Sequence, residues 1–329
     1  MEKDFQSILQ NLLPPCQRIR LTSDIDRYGF SSFLAKQCGL LRLPRSSAYW
    51  VHGWIWSTTP TAELLACSRL HKETLIIVRN EIERKALILE GFENIKIGGL
   101  PFSYIPRQHL YRSENALLAF PPHSAEAERL STNQENYFDY LESIKKDFDG
   151  IYVSIYYFDL QTPIHSAVLA RGLNVIEGAR PNDANALLRV RSILDGFNYV
   201  TSNVIGSHML YALYCGCKFS FSGPFYSYDE SLFLTNGNPH KHSKQYIAHC
   251  LQLQSESYVR ELFSRFFVEN PNLGLHDQNF AIDSIGEKYL IHPEEIIDLL
   301  GWNFMGQLNQ YINSADRVLK RMRQQFSLR

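Results

Sequence analysis

Short apolar runs alternate with longer amphipathic stretches along most of the chain. A short apolar run is typical of a buried strand, and apolar residues three and four apart are typical of a helix. The predicted strands lie at 48–56, 74–79, 95–98, 116–120, 150–158, 173–177, 199–202 and 217–222. The helices predicted between or beside them lie at 80–91, 124–148, 163–171, 184–195 and 205–214. Buried strands that alternate with helices predict parallel sheets with right-handed crossovers.

The length of 329 residues favours two domains, and several prolines at 101–121 predict a linker between them. We therefore expect an α/β fold with two Rossmann-like, doubly wound lobes that face a cleft, at 1–110 and 111–305. After the last predicted strand the pattern is helical, and residues 306–329 are expected to form a C-terminal helical extension that packs back on the first lobe. Ligands of such sheets bind outside the carboxyl ends of the strands, so the residues that follow each strand are the site candidates.

Composition narrows the function. The 33 basic residues balance 34 acidic ones, which excludes a basic field for nucleic acid. No apolar run approaches the length of a transmembrane helix, and the N-terminal segment has acidic residues and two prolines where a signal peptide needs an apolar region. The sequence predicts a cytoplasmic protein.

Metal and cofactor motifs are weak. The six cysteines are scattered, and Cys215-Gly216-Cys217 has no second pair to complete a zinc site. His240 and His242 lie in a polar loop, where surface roles are more common. The chain has no Gly-x-Gly-x-x-Gly or Walker motif. We predict no metal and no cofactor beyond an activated co-substrate.

The segment from Tyr199 to Tyr228 carries the strongest pattern. Small and polar residues follow a predicted strand at Ser202, Asn203, Gly206, Ser207 and His208, where a helix begins. Such a turn lets backbone N–H groups and a helix N-terminus approach an anion such as a diphosphate. The alternative interpretation is a tight turn in which serine caps the helix.

The order S-N-x-I-G-S-H, apolar helix, strand and S-G-P-F-Y resembles the donor-binding lobe of GT-B glycosyltransferases. It is most similar to the bacterial enzymes that build capsule and lipopolysaccharide O-antigen chains, with a Gly-Pro-Phe-Tyr ending similar to the Kdo-transferase-like branch. The resemblance covers residues 110–230. It implies that Ser202 and the loop Asn203–His208 bind the donor phosphate, with Gly223, Pro224, Phe225 and Tyr226 near the nucleotide. The chain lacks the E-x-x-x-x-x-x-E pair of many such enzymes, which leaves the nucleotide open.

Two further donor contacts are expected at strand ends. His123 and Ser124, after Phe120-Pro121-Pro122, resemble the His-Pro or His-Ser element that sialyltransferase- and Kdo-like enzymes place near the donor phosphate. An imidazole there stabilises a phosphate leaving group. The alternative is a helix N-cap at Ser124. Glu177 ends another strand and is expected to contact ribose or sugar, unless it serves as a cap.

The candidate base is His52, which lies beside Gly53 at the end of the first predicted strand. Transfer with inversion needs a base near the acceptor hydroxyl, with a pKa close to the working pH. A buried structural histidine between tryptophans is the alternative. Asp24 and Asp26 are the fallback bases, and capping of the following helix is their alternative.

Arg79 and Asn80, which end the second strand, and Trp54 are the expected acceptor contacts. In the C-terminal helix, Val318, Leu319, Met322 and Phe326 share one side, with Arg317, Lys320, Arg321 and Arg323 around it. This pattern fits either peripheral contact with an anionic membrane or packing on the first lobe.

The sequence therefore predicts a glycosyltransferase of GT-B type, with the first lobe on the acceptor side and the second binding the donor. It is expected to transfer a sugar, without a metal, from an activated donor to a surface polysaccharide or its lipid-linked precursor. Two alternatives stay open: a nucleotide-sugar epimerase or hydrolase on the same fold, and an inert sugar- or nucleotide-binding partner in polysaccharide assembly.

Overall fold

The computed structural model describes residues 5–46, 48–122, 132–228, 230 and 243–312. These residues contain two parallel β-sheets, each accompanied by helices, so the α/β class with parallel sheets is confirmed. Within the described ranges, none of the helices combines the length and hydrophobicity needed to span a bilayer.

The first sheet has three short parallel strands in the order β1-β2-β3: Tyr49–Trp50, Ile76–Val78 and Ile95–Ile97. The strand predicted at 48–56 ends at Trp50 because the next residues pair elsewhere. The Trp54 backbone N–H donates to the Ser207 Oγ at 2.9 Å, and the Trp56 indole N–H donates to the Leu253 carbonyl at 2.7 Å. Tertiary contacts, and not a strand, therefore account for the hydrophobicity of this run.

The second sheet has five strands, all parallel, in the order β6-β5-β4-β7-β8. They are β4 Ser113–Phe120, β5 Gly150–Ile155, β6 Asn174–Glu177, β7 Phe197–Ser202 and β8 Lys218–Phe221. β4 occupies the second part of the range 101–121, in which the sequence also predicts a strand, and the linker itself stays a prediction. From β4 the chain winds first toward β6 and then, through β7, toward β8. The crevice between β4 and β7 is the point at which ligands bind in doubly wound sheets.

The helices fill the connections and the C-terminal part of the chain. They are α1 Phe5–Leu12, α2 Phe30–Gln37, α3 Glu81–Leu89, α4 Thr132–Ser143, α5 Pro163–Ala170, α6 Ala186–Asp195, α7 Ser207–Tyr214, α8 Lys244–Gln254, α9 Glu256–Phe263, α10 Gln278–Ile285, α11 Pro293–Leu299 and α12 at 304–312. The helix predicted at 243–267 is two helices, because Ser255 is extended and its hydroxyl caps α9. Residues 313–329, the remainder of the predicted extension, lie outside the described residues.

The N-terminal segment contacts the second sheet, although the sequence assigned it to the first lobe. The Phe5 ring meets Tyr152 and Phe197 edge to face, at 5.1 Å between ring centroids in each case. Further along, the Gln17 N–H donates to the Asp183 carboxylate at 2.8 Å. The boundary near residue 110 stays a prediction.

A short 3-10 turn, Asp24–Gly29, joins this segment to α2 and lies against the loop after β6. The Tyr28 N–H donates to the Pro181 carbonyl at 2.7 Å. Gly29 has φ +74°, and a Cβ there would lie 2.1 Å from the Ala184 carbonyl oxygen. Only glycine allows the two backbones to come so close.

Replacing Gly29 by alanine should therefore destabilise the protein by about 2–4 kcal/mol, through left-handed strain plus overpacking. Gly39 is the matched control, because it has φ +70° with no atom within 4 Å of a built Cβ. Gly39→Ala should lower the free energy of unfolding only through the left-handed strain, by about 1 kcal/mol. Urea unfolding measures the free energy of unfolding of both variants. If Gly29→Ala and Gly39→Ala lose the same amount, the contact with Ala184 contributes nothing.

Candidate functional site

A cavity of about 380 Å³ lies at the carboxyl ends of the second sheet's strands, within the size range of small-molecule sites. One wall comes from the residues that follow β4, β5, β6 and β7, and the other from the turn before α2 and the loop after β1. The lining residues used below are Arg27, Tyr28, His52, Gly53, Phe120, Tyr156, Gly206, Ser207, His208, Tyr211 and Tyr228. The predicted donor turn and the predicted base therefore line one cavity.

The first turn of α7 opens into this cavity. Gly206 precedes the helix with an extended backbone, and a Cβ there would lie 2.9 Å from two atoms of the His208 ring. Glycine thus allows the imidazole to fold over the start of its own helix. The first N–H groups of a helix have no partner within it, and together with the helix dipole they favour an anion.

The His208 ring is held by contacts that include a hydrogen bond and an aromatic stack. Its Nε2 lies 3.1 Å from the Val204 carbonyl oxygen, and the ring stacks on Phe120 with centroids 5.2 Å apart and 16° between planes. A carbonyl only accepts, so Nε2 carries the proton that bonds to Val204. In the neutral ring, Nδ1, the ring nitrogen nearest Gly206, is therefore an acceptor.

Ser202 and Asn203 are fully buried and position the neighbouring loops. The Ser202 hydroxyl lies 2.6 Å from the Phe120 carbonyl oxygen and so joins the ends of β7 and β4. The Asn203 amide donates to the Pro224 carbonyl at 3.1 Å, and the Tyr226 N–H donates to the Asn203 carbonyl at 2.7 Å. Neither side chain lines the cavity.

The loop that contains Gly223, Pro224, Phe225 and Tyr226 also lies outside the cavity lining, which Tyr228 reaches instead. Gly223 has φ +79°, and a Cβ there would lie 2.5 Å from the Tyr140 ring. The Phe225 ring packs on Phe221 and Phe267, with centroids 5.8 and 5.7 Å away. The described contacts of this loop are therefore structural.

Two hydrogen bonds join the loop after β1 to α7. Ser207 accepts from the Trp54 N–H, and the Tyr211 hydroxyl donates to the His52 carbonyl oxygen at 3.1 Å. Ser207 therefore fastens the two walls of the cavity to each other. The Trp54 ring is buried, 5.9 Å from Phe263 between ring centroids, and does not line the cavity.

The His52 ring is half-buried in the cavity wall, 5.7 Å from the Tyr28 ring between centroids. Its Nδ1 is buried and has no hydrogen-bond partner in the described part of the chain. Burial, with a contribution from Arg27, lowers the pKa of His52, against the opposing effects of Asp24 and of a hydrogen bond to the Trp50 backbone. The neutral imidazole that results is the form that can accept a proton.

The two predicted fallback bases flank this wall but do not line the cavity. Asp26 is 1% exposed and accepts four hydrogen bonds: from the N–H and hydroxyl of Thr22, the N–H of Ser23 and the hydroxyl of Ser31, at 2.7–2.9 Å. Burial alone would raise the pKa of Asp26, but these hydrogen bonds lower it below its usual value. Asp24 forms an ion pair with Arg27 at 2.9 Å. Asp26 is therefore a structural anchor.

Arg27 and Tyr28, between Asp26 and Gly29, line the cavity and were not among the sequence candidates. Tyr28 has φ +58°, in the left-handed region that non-glycine residues rarely adopt. Strained backbone of this kind concentrates at functional sites. The only signal in the sequence is the Tyr-Gly pair, which is common in ordinary turns.

The remaining predicted contacts have structural partners outside the cavity. Arg79 is buried with its Nε 3.1 Å from the Glu83 carboxylate, and the Asn80 side chain accepts from the Glu83 N–H at 3.0 Å and so caps α3. Glu177 pairs with Arg180. Because these groups are engaged elsewhere, their predicted ligand contacts stay predictions.

Several candidates cannot be placed. His123 and Ser124, the histidines at 240 and 242, and the basic C-terminal residues all lie outside the described residues. Among the residues that are described, no three His, Cys, Asp or Glu side chains group as metal ligands. All six cysteines are free thiols, and burial raises the pKa of Cys215 and Cys217.

No protein-family model and no curated protein matches the chain. Among solved structures, a variant of TarM from S. aureus in complex with Fondaparinux, alpha-GlcNAc-glycerol and UDP is 16% identical with a TM-score of 0.32. TarM and a GtfA/B complex are each 17% identical, with TM-scores of 0.28 and 0.25. Each alignment covers 68% of this chain but only 42–44% of the other, so the chain spans less than half of these structures. All three TM-scores lie below 0.5.

The anchoring role of Asp26 predicts a pH-dependent loss of stability. Asp26→Asn should cost about 2–3 kcal/mol at pH 7, because its NH₂ group faces buried donors. The lowered pKa means that Asp26 stabilises the fold above its unfolded pKa of about 3.9, and that this contribution disappears as the pH falls further. Urea unfolding of the unchanged protein and of Asp26→Asn from pH 7 to pH 3 measures the difference between their free energies of unfolding. This difference should become smaller as the pH falls.

Asp24→Asn is the control for this series. It removes only a partly exposed ion pair and should cost less than about 1 kcal/mol. If the two substitutions cost the same at pH 7, Asp26 is not the anchor of this turn.

Proposed function

We propose that this chain is a glycosyltransferase that transfers a sugar from a nucleotide- or phosphate-activated donor to a hydroxyl acceptor. One observation carries the proposal: the amino-terminal turn of α7 and the neutral imidazole of His52 line the same cavity, at the switch point of a doubly wound sheet. An anion site beside a proton acceptor is the minimum that displacement of a sugar from phosphate requires.

The donor phosphate is proposed to lie at the start of α7, against Gly206 and His208. The helix N-terminus and the guanidinium of Arg27 would attract its charge. His208 adds a donor at Nδ1 once its ring takes up a second proton. These groups act most strongly on the departing phosphate, on which charge develops, so they favour the transition state over the bound substrate.

The acceptor is proposed to approach from the side of the loop after β1. His52 would take the proton of the acceptor hydroxyl while its oxygen attacks the anomeric carbon. The bond from that carbon to the phosphate oxygen breaks, and its electron pair leaves with the phosphate. Direct displacement of this kind inverts the anomeric centre. The sequence resemblance favours a bacterial surface polysaccharide or its lipid-linked precursor as acceptor, at the cytoplasmic side, in a metal-independent reaction.

Nucleotide binding tests the donor site. One of CMP, UDP, GDP, dTDP or phosphoribosyl diphosphate, at 100 times its dissociation constant, should stabilise the fold by about 2.7 kcal/mol, which is a few degrees in a thermal-shift assay. His208→Ala should weaken that ligand about tenfold, by loss of one polar contact to phosphate. His249, a half-buried histidine on α8 outside the cavity lining, provides the control His249→Ala.

If His208→Ala and His249→Ala both bind the ligand as tightly as the unchanged protein does, the phosphate lies away from α7. If none of the five compounds shifts the melting temperature, the donor site itself is wrong, and the chain is better explained as a protein that binds acceptor alone.

His52 generates a separate kinetic prediction. His52→Ala should retain nucleotide affinity but lower kcat for transfer by about a hundredfold or more, the usual contribution of a general base. Because burial lowers the pKa of His52, the acidic limb of the unchanged enzyme's pH–rate profile should lie below the usual histidine value of about 6.5. Initial rates with EDTA present, across the pH range, measure both effects.

His249→Ala again serves as the control and should keep the wild-type profile. Transfer by His52→Ala at the normal rate would remove the base assignment. Turnover of the donor sugar with no acceptor present would instead favour the epimerase or hydrolase alternative, and donor binding without any turnover would favour an inert binding partner.

A further inference from the structure

Tyr28 has a backbone conformation that a smaller residue would adopt more easily. Its φ of +58° and ψ of +19° are left-handed, and glycine or asparagine takes up this conformation at lower cost. The turn around it is held by the Asp26 carboxylate and by the hydrogen bond from the Tyr28 N–H to the Pro181 carbonyl oxygen. Neither contact requires a tyrosine, so the reason for this residue type lies in its side chain.

The ring and the hydroxyl group of Tyr28 have different environments. The ring is half-buried and packs against the main hydrophobic core, a contact that phenylalanine would make equally well. Burial raises the pKa of Tyr28, Arg27 opposes this effect, and Tyr157 adds to it. No hydrogen bond within the described residues contributes to that pKa. The hydroxyl group is therefore the part of the side chain that the packing leaves unexplained.

Tyr28 lies beside the candidate base and near α7. The centroid of its ring is 5.7 Å from that of His52, and it lines the cavity together with the first turn of α7. Burial raises the pKa of Tyr211, a hydrogen bond with Ser207 lowers it, and Tyr28 raises it again. The Tyr211 hydroxyl in turn donates to the His52 carbonyl oxygen. The Tyr28 hydroxyl is therefore close to both walls of the cavity.

The polar groups of the cavity limit what it can recognise. Within the described residues, the lining contains no aspartate and no glutamate. Apart from Arg27 and the two histidines, its polar side chains are hydroxyl groups, and that of Ser207 already accepts from the Trp54 N–H. A hydroxyl group both donates and accepts, so it matches the hydroxyl groups of a sugar.

We propose that the Tyr28 hydroxyl binds a hydroxyl group of the transferred sugar and so contributes to sugar specificity. This inference rests on the proposed function. With the phosphate at the start of α7 and the acceptor oxygen at His52, the anomeric carbon lies between them, because the attacking oxygen and the departing phosphate are on opposite sides of it. The sugar then lies beside the Tyr28 ring, within reach of its hydroxyl group.

Paired ligands test this contact. Each nucleotide is compared with a sugar conjugate by isothermal titration: CMP with CMP-N-acetylneuraminic acid, UDP with UDP-glucose, GDP with GDP-mannose and dTDP with dTDP-glucose. Tyr28→Phe should bind the nucleotide as tightly as the unchanged protein does. It should lose about tenfold in affinity for the conjugate, the effect of one missing hydrogen bond.

Tyr258→Phe is the matched control, since Tyr258 is half-buried on α9 outside the cavity lining. It should bind nucleotide and conjugate as the unchanged protein does, and melting temperatures establish that both variants are folded.

The outcomes separate this inference from the proposed function. If no nucleotide binds the unchanged protein, the donor site is wrong and the role of Tyr28 falls with it. If a nucleotide binds but Tyr28→Phe keeps full affinity for every conjugate, the role of Tyr28 alone is overturned. Equal loss of affinity for nucleotide and conjugate overturns it as well, because the hydroxyl then acts on the nucleotide or through the fold.

Discussion

The contact between the loop after β1 and the first turn of α7 determines the shape of the cavity. That loop has left the sheet, so its backbone groups need new partners. The Trp54 N–H donates to the Ser207 hydroxyl oxygen. The His52 carbonyl oxygen accepts from the Tyr211 hydroxyl, one turn further along the same helix. Because α7 also presents its N-terminus to the cavity, one helix positions the candidate base and the candidate phosphate site together. A shift of α7 would move both.

The turn before α2 closes the cavity from a second direction and depends on buried polar chemistry. The Asp26 carboxylate satisfies four donors, and two residues later the chain takes two left-handed conformations in succession, at Tyr28 and Gly29. Such backbone persists only where its surroundings hold it. Here the anchor lies on one side and the Pro181–Ala184 loop on the other. The strained geometry places Arg27 and Tyr28 in the cavity wall.

Hydrophobic periodicity predicted every strand in the described residues, because a buried parallel strand must be apolar on both faces. It failed at the end of 48–56, where the tryptophans are buried by helices and not by neighbouring strands. The rule that ligands bind outside the carboxyl ends of parallel strands likewise led to His52 and to the turn before α7. It could not reveal that the Ser202 and Asn203 side chains bond to neighbouring carbonyl oxygens and do not line the cavity, or that Glu83 engages Arg79. Position at a strand end limits where a residue lies, but hydrogen-bond competition decides what its side chain does. Tyr28 follows no strand, so the rule could not reach it.

The imidazoles of His52 and His208 lie in different environments, and this difference suits them to different roles. His52 is held neutral by burial, and its Nδ1 has no hydrogen-bond partner among the residues that the structure describes, so it is prepared to receive a proton. His208 already commits its Nε2 proton to Val204, and its neutral ring would turn a lone pair toward a phosphate at Gly206. A phosphate at Gly206 would therefore lie against His208, on the wall of the cavity that faces His52. Donor binding would then distinguish the two rings, since a negative charge acts most strongly on the imidazole that it contacts most closely.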